Sequence, residues 1–191
     1  MKRIGILGGT FNPLHIGHLA IAEVAQEQMG LDKVIFVPSY LPPHKRIANL
    51  APADDRLEMI RISIRKNPKF DVSDFEVQRG GKSYSIETVR YFQKEFPEAR
   101  LFFIVGGDSA AFLHTWKNVD EILKIVSFVV VNRPGHDECE ASIPHHSVIL
   151  PGIDISSSYV RRRLTQGKSI KYLVPDEVLR YIEQHKLYLK E

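Results

Sequence analysis

The sequence predicts an α/β protein: a mostly parallel sheet with helices on both faces. Three observations predict it. The strand candidates are continuous apolar runs, the pattern of strands covered on both sides. They alternate with amphipathic helical stripes, which implies right-handed βαβ crossovers. The residues able to do chemistry fall just after the apolar runs, and such sheets bind ligands beyond the carboxyl ends of their strands. The chain of 191 residues reads as a single domain over 1–191, with 156–191 a helical C-terminal part.

Each element follows in order. "RIGIL" (Arg3–Leu7) is a buried strand. Leu19, Ala22, Ala25 and Met29 make a helical stripe that starts near Gly17 or His18, and Gly30 stands where a C-terminal stop belongs. "KVIFVP" (Lys33–Pro38) is the second strand, and Leu57, Ile60 and Ile64 mark a helix ending before Pro68. "FDVSDFEV" (Phe70–Val77) alternates loosely and predicts a strand nearer an edge. Ile86, Val89, Phe92 and Phe96 predict a helix ending at Pro97. "LFFIV" (Leu101–Val105) is a strand, Val119, Ile122 and Val126 suggest a helix, and "SFVVV" (Ser127–Val131) and "SVIL" (Ser147–Leu150) are further strands. Val160 and Leu164 suggest a short helix. Pro175 opens another, with Val178, Leu179 and Ile182 on its apolar face.

The hydrophobic and charged fractions, 43% and 26%, are those of an ordinary globular protein, and a net charge of +3 without a clear basic cluster argues against nucleic acid and suits small anionic substrates. The one cysteine, Cys139, lies between two glutamates; it forms no internal disulfide and points to a reducing compartment. The apolar run in "MKRIGILGG" is short for a signal peptide, and "IVSFVVV" is far short of a membrane helix. The expectation is a cytoplasmic protein with no membrane partner. A homo-oligomer stays open, with no exposed heptad or large apolar edge visible.

The first strand hands over to the first helix through "GILGGTFNPLHIGHLA" (Gly5–Ala20). Gly8 and Gly9 allow a sharp turn and a ligand close to the backbone, and a helix N-terminus attracts anions. No GxxxxGK[ST] and no GxGxxG occurs here. His15 and His18, at i and i+3, can face one direction and donate to phosphate oxygens, and Gly17 between them removes a side chain that would block the approach. Standing alone, the pair would serve equally as capping or half-buried histidines. No third ligand stands nearby in sequence, which weakens a metal site.

"GGTFNPLHIGH" resembles the first signature of the HxGH nucleotidyltransferase superfamily, and "ISSSYVRRRL" (Ile155–Leu164), about 140 residues on, resembles its second, SSTxxR. Where that signature usually has Asp, this chain has Asn12, a position read as shaping the turn. The resemblance implies a Rossmann-like fold and one reaction: a phosphate attacks the α-phosphorus of a nucleoside triphosphate and pyrophosphate leaves. Mg²⁺ is expected to enter with ATP. His15 and His18 would contact the α- and β-phosphates, and Thr10 would contribute its hydroxyl or N–H. Ser156 and Ser157 would make an anion cradle at a helix start, and Arg161 would hold departing pyrophosphate. Arg162 and Arg163 read as solvated helix charge. Lys45 in "PPHK" would bridge phosphate groups.

The middle of the chain separates the members. "PPHK", "GKSYSIETVRYF", "FFIVGGDSAAFLHTW", "VVVNRPG" and "VPDEVLRYIEQHKLY" are similar to the bacterial nicotinate-mononucleotide adenylyltransferases, so the resemblance covers nearly the whole chain. It implies ATP and nicotinate mononucleotide as substrates and nicotinate adenine dinucleotide as product, on the way to NAD. Trp116 would stack on the pyridine ring or, on the alternative reading, belong to the core. Tyr84, Ser85 and Thr88, at a helix start, would stand near the backbone donors for the ring carboxylate. Gly106 and Asp108 would approach adenosine or a ribose, Asp108 otherwise being a helix N-cap, and Arg133 would pack near the adenine. Phosphopantetheine adenylyltransferases, with PGTFDP at the first signature, are the second enzyme reading. A sensor that keeps the fold without turnover would be expected to lack a histidine or Arg161.

Overall fold

A computed structural model describes residues 1–42, 49–132 and 143–189, and of Asp108 only the backbone. Lys45, Arg133 and Cys139 lie outside the described residues. The chain runs β1 (Arg3–Gly9), α1 (Ile16–Gln28), β2 (Lys33–Pro38), α2 (Ala53–Ile64), β3 (Phe70–Val72), α3 (Phe75–Arg79), α4 (Ser85–Glu95), β4 (Arg100–Gly106), α5 (Gly107–Ala110), α6 (Val119–Ile125), β5 (Val126–Asn132), β6 (His145–Ile149), α7 (Ser157–Thr165) and α8 (Asp176–Gln184). The strands form one six-stranded sheet in the order β3-β2-β1-β4-β5-β6. Every neighbouring pair is parallel.

The continuous apolar runs are explained by two covered faces. Along β4, Leu101, Phe103 and Val105 join Ile86, Val89 and Phe92 of α4 and Ile122 of α6 in one core. Phe102 and Ile104 face the other way, onto Ala22 and Ala25 of α1 and Ile60 and Ile64 of α2. A third core joins Val160, Ile170, Val174, Val178 and Ile182 of the C-terminal part to Met59 on the far side of α2. Among the described residues no helix is long and apolar enough to cross a membrane.

Two expectations at element edges are corrected. The strand predicted over Phe70–Val77 stops at Val72, and Phe75–Arg79 is a helical turn. β3 pairs only with Val34, Ile35 and Phe36 at the sheet edge, and Gly80, at φ +68, ends α3. Val126 is no helical residue: it pairs with Leu101 as the first residue of β5. α1 starts at Ile16, just ahead of the expected Gly17 or His18.

The chain leaves β1 toward β2 and β3 on one side, then returns through β4 to β5 and β6 on the other. The loops after β1 and β4 therefore diverge and open a crevice at the carboxyl end of the sheet.

Candidate active site

The crevice begins at Gly8 and Gly9, and here the turn is not made as expected. Both glycines are the last residues of β1, paired with Val37 and Pro38. They are small because neighbouring rings need the space. A Cβ on Gly8 would stand 3.2 Å from Phe103 Cζ, and one on Gly9 2.9 Å from Phe11 Cζ. The chain reverses at Phe11, with φ 48, and through a cis Asn12–Pro13 peptide. Asn12 shapes the turn: its Oδ1 accepts from Ala51 N–H at 3.0 Å and its Nδ2 donates to the Asn49 carbonyl at 3.1 Å.

His15 is the N-cap of α1, and His18 lies one turn on. Their rings stack with centroids 3.6 Å apart, so the i, i+3 spacing does place both on one face. His18 Nδ1 accepts the His15 backbone N–H at 3.2 Å, which leaves the neutral ring's proton on Nε2. The Phe11 ring meets His18 edge-on at 4.9 Å. Gly17 has a specific neighbour: a Cβ there would stand 3.1 Å from His15 Nδ1 and 3.6 Å from the Ile155 carbonyl. The small residue lets the first motif pack under the second.

The two motifs are joined by direct hydrogen bonds. Ser157 Oγ donates to the Pro13 carbonyl at 2.9 Å, and Arg161 Nη1 donates to the Asn12 carbonyl at 2.7 Å. Arg161 Nη2 reaches Ser158 Oγ at 3.3 Å. Ser156 caps α7 by accepting Tyr159 N–H at 3.2 Å. Arg163 donates to the Ser169 carbonyl at 2.7 Å, so it is tied into the C-terminal part instead of being only a solvated charge.

Two cavities open at this crevice. The larger, about 410 Å³, has Thr10, His15, His18, Gly106, Ser156, Ser157 and Arg161 in its lining. No carboxylate lines it among the described residues. The smaller, about 200 Å³, is lined by Ser39, Glu76, Ser83, Ser85 and Phe103 among others. Gly8, Gly9, Thr10, Ser109 and Trp116 belong to both linings. Trp116 is half-buried and meets Phe103 and Phe128 edge-on, at 5.5 and 5.9 Å, so it is both a core residue and a cavity wall.

The remaining expected residues spread around the smaller cavity. Ser85 begins α4 and Tyr84 is its N-cap, with Lys117 Nζ 4.5 Å above the Tyr84 ring. Neither Tyr84 nor Thr88 is brought into the lining: Tyr84 packs against the α4 core, and Thr88 is buried and donates its hydroxyl to Glu76 Oε1. Asp108 lies within α5, whose N-cap is Gly106, so the capping alternative for Asp108 does not hold.

Among the lining residues that the sequence does not announce, Glu76 is the carboxylate. It is buried, and burial pushes its carboxyl above the usual range, opposed by hydrogen bonds from Thr88 and Ser83. Its only sequence signal is a carboxylate between the apolar Phe75 and Val77. Arg56, fully buried beneath the loops, gave a similar signal: it shares a helical face with Met59 and Ile60.

A parallel-sheet switch point carrying stacked imidazoles and a docked serine–arginine helix belongs to the nucleotidyltransferase class, and residues 6–163 match the pattern of the cytidylyltransferase-like family. The chain is 43% identical over 187 residues to a Lactiplantibacillus plantarum protein named "probable nicotinate-nucleotide adenylyltransferase", covering 98% of this chain and 88% of the relative. It is 46% identical over 193 residues to a Halalkalibacterium halodurans protein of the same name, covering 98% and 92%. A Thermus thermophilus protein of that name is 43% identical over 186 residues, 97% of this chain and 99% of the relative. The chain belongs to the cytidylyltransferase-like family and, within it, to the nicotinate-nucleotide adenylyltransferases. The fold is shared with a solved nicotinic acid mononucleotide adenylyltransferase of Plasmodium falciparum, complexed with NaAD, at TM-score 0.83 and 20% identity over 98% of each chain.

Proposed function

We infer that this chain joins AMP from ATP to nicotinate mononucleotide, giving nicotinate adenine dinucleotide and pyrophosphate, a step of NAD biosynthesis. The observation that carries this reading is the pair of cavities with a common wall at Gly8, Gly9, Thr10, Ser109 and Trp116. One offers phosphate donors; the other offers an aromatic wall, hydroxyls and the start of α4.

The proposed chemistry is a direct in-line displacement without a covalent enzyme intermediate. A mononucleotide phosphate oxygen forms a bond to the α-phosphorus of ATP as the bond to pyrophosphate breaks. The attacking phosphate is already ionised, so no general base is needed, and catalysis is positioning and charge stabilisation. His18 donates from Nε2, and His15 stacks beside it as the second donor. Arg161 spends Nη1 on Asn12 and Nη2 on Ser158, which orients the guanidinium while N–H groups remain for pyrophosphate. With Ser157 donating to Pro13 and Ser156 capping α7, the anion cradle reduces to the backbone N–H groups of that helix start. Lys45 keeps its role as a phosphate bridge, and Gly106, Asp108 and Arg133 theirs on the adenosine side, on resemblance alone. On the acceptor side, Trp116 stacks on the pyridine ring and the α4 start receives its carboxylate, with Tyr84 and Ser85 beside it.

Mg²⁺ suits a donor set of this kind as an ion carried by the triphosphate. Neutral and cationic donors line the larger cavity, and no cluster of three His, Cys, Asp or Glu stands ready for a metal among the described residues. When bound, the ion offsets phosphate charge. The single cysteine supports a reducing, cytoplasmic setting.

The test is pyrophosphate release by the purified protein with Mg²⁺ and ATP, offering nicotinate mononucleotide, nicotinamide mononucleotide and phosphopantetheine separately. Release far above the others with nicotinate mononucleotide is expected. Release with phosphopantetheine instead would keep the class and overturn the acceptor assignment.

A further inference from the structure

Arg56 is 0% exposed, at the start of α2, and none of its four hydrogen-bond acceptors is a carboxylate. Burying a guanidinium without an acid is costly unless its donors are satisfied. Here they are satisfied by main-chain carbonyls from two loops, Thr10 after β1 and Ser39, Tyr40 and Ala51 between β2 and α2. Nη1 donates to the Thr10 carbonyl at 2.8 Å and to the Ser39 carbonyl at 2.7 Å. Nη2 donates to the Tyr40 carbonyl at 3.0 Å, and Nε to the Ala51 carbonyl at 3.0 Å.

The placement of those carbonyls matters. Thr10 lies on the wall common to both cavities, and Ser39 lines the smaller one. A single nitrogen therefore ties the loop after β1, on the ATP side, to the loop after β2, on the acceptor side. The tie continues beyond Tyr40, whose N–H donates to Ser83 Oγ at 2.9 Å. Ser83 and Thr88 both bond Glu76, which brings the start of α4 into the same belt. The belt runs around the acceptor cavity and meets the common wall twice, through Arg56 on the Thr10 carbonyl and through the Ser39 N–H, which donates to the Gly9 carbonyl at 2.9 Å.

We propose that Arg56 is a positioning residue for the transfer: its planar fork fixes the separation of the ATP loop from the acceptor loop, and so the alignment of attacking phosphate and α-phosphorus. This rests on the adenylyltransferase reading above. A lysine would keep the positive charge but not the fork, since one ammonium cannot span carbonyls on both sides of the guanidinium. A misalignment of about 1 Å costs on the order of 10²-fold in rate while leaving each substrate's own contacts in place.

The experiment compares wild type, Arg56→Lys and Arg56→Met for turnover, for separate binding of a non-hydrolysable ATP analogue and of nicotinate mononucleotide, and for amide hydrogen exchange. All are done well below each variant's unfolding temperature. In Arg56→Lys, kcat is expected to fall on the order of 10²-fold, with each dissociation constant within about threefold of wild type. Exchange is expected to quicken in the peptides holding Thr10 and Ser39–Tyr40 and to stay unchanged in α8. If Arg56→Met does not fold, Arg56→Lys carries the test alone. Wild-type kcat in folded Arg56→Lys, or unchanged exchange in either loop, overturns the proposal. A uniform loss of stability with kcat per folded molecule preserved also overturns it, leaving a merely structural staple. If wild type itself fails to adenylate nicotinate mononucleotide, the functional reading falls, while the exchange comparison still decides whether Arg56 ties the two loops.

Discussion

The two cavities that meet at Gly8–Thr10 are built in opposite ways. The phosphate side is made from two contiguous motifs, one at the start of α1 and one at the start of α7, locked by Ser157 to Pro13 and Arg161 to Asn12. Its lining holds no carboxylate among the described residues. The acceptor side is gathered from β1, the β2 loop, α3, α4 and β4, and a buried carboxyl, Glu76, stands in its wall. On the proposed reading, the first is a compact set of donors for charge that appears in the transition state, and the second is a shaped pocket for a ground-state ring. Substitutions on the first should therefore act on kcat, and substitutions on the second on the KM of one substrate.

The sharpest way to break that division is His18→Ala. It deletes a preorganised donor and should lower kcat about 10²–10³-fold, as removal of a transition-state hydrogen-bond donor does elsewhere. The fold should hold, because His18 is only half-buried. Steady-state kinetics beside a thermal melt read both. An unchanged kcat would remove the histidine from the chemistry. Next comes Gly17→Ala. Its Cβ would stand 3.1 Å from His15 Nδ1 and 3.2 Å from Cε1, so the ring must yield by tenths of an ångström. We expect kcat to fall about tenfold through displacement of the His15 ring. Helix content should be kept, since Ala favours the helix over Gly.

The same contrast explains what could be seen in the sequence. Covered strands declare themselves as unbroken apolar runs, so Lys33–Pro38 coincides with β2 and the alternation with helices implied the parallel sheet. His15, His18, Ser156 and Arg161 were visible because each motif is local and its spacing is helical. The acceptor wall was visible only by resemblance, because it is assembled across the fold. Ser39 and Ser83 carry no local signal. For a related reason the turn expected at Gly8 and Gly9 lies elsewhere. A glycine before a turn suggests backbone freedom, yet Phe11 takes the positive φ, and the glycines make room for Phe103 and Phe11. Side-chain crowding from distant elements has no trace in a local pattern. Nor did the helical stripe of α2 reveal that Arg56 on its inner face reaches four carbonyls.

A smaller effect is expected on the acceptor side. Trp116→Ala should raise the KM for nicotinate mononucleotide about tenfold, equivalent to losing ~1.4 kcal/mol of ring contact. The KM for ATP should move less. Because Trp116 also packs edge-on against Phe103 and Phe128, the variant should lose about 2 kcal/mol of stability, less than a fully buried Trp would. Denaturant unfolding checks the second number. A stability loss with both KM values unchanged would make Trp116 a core residue only.

The smallest effect concerns Glu76 and depends on pH. Burial raises its folded-state pKa above the unfolded value of about 4.3, more than the Thr88 and Ser83 hydroxyls lower it. A carboxyl raised in this way binds its proton more tightly in the native state. Its contribution is therefore fully present below the unfolded pKa and is lost as pH rises through the folded one. Glu76→Gln removes that titration while keeping an oxygen for the Thr88 hydroxyl. Melting both proteins between pH 4 and pH 8 should show Glu76→Gln gaining on wild type as pH rises. The KM for ATP should stay level throughout, since Glu76 lies on the acceptor side alone. The opposite slope, with wild type gaining as pH rises, would mean that the two hydroxyls outweigh burial and that the acceptor cavity holds a stabilised carboxylate. A cavity of that kind would repel the ring carboxylate of nicotinate mononucleotide, so the same melt bears on which pyridine mononucleotide the pocket prefers.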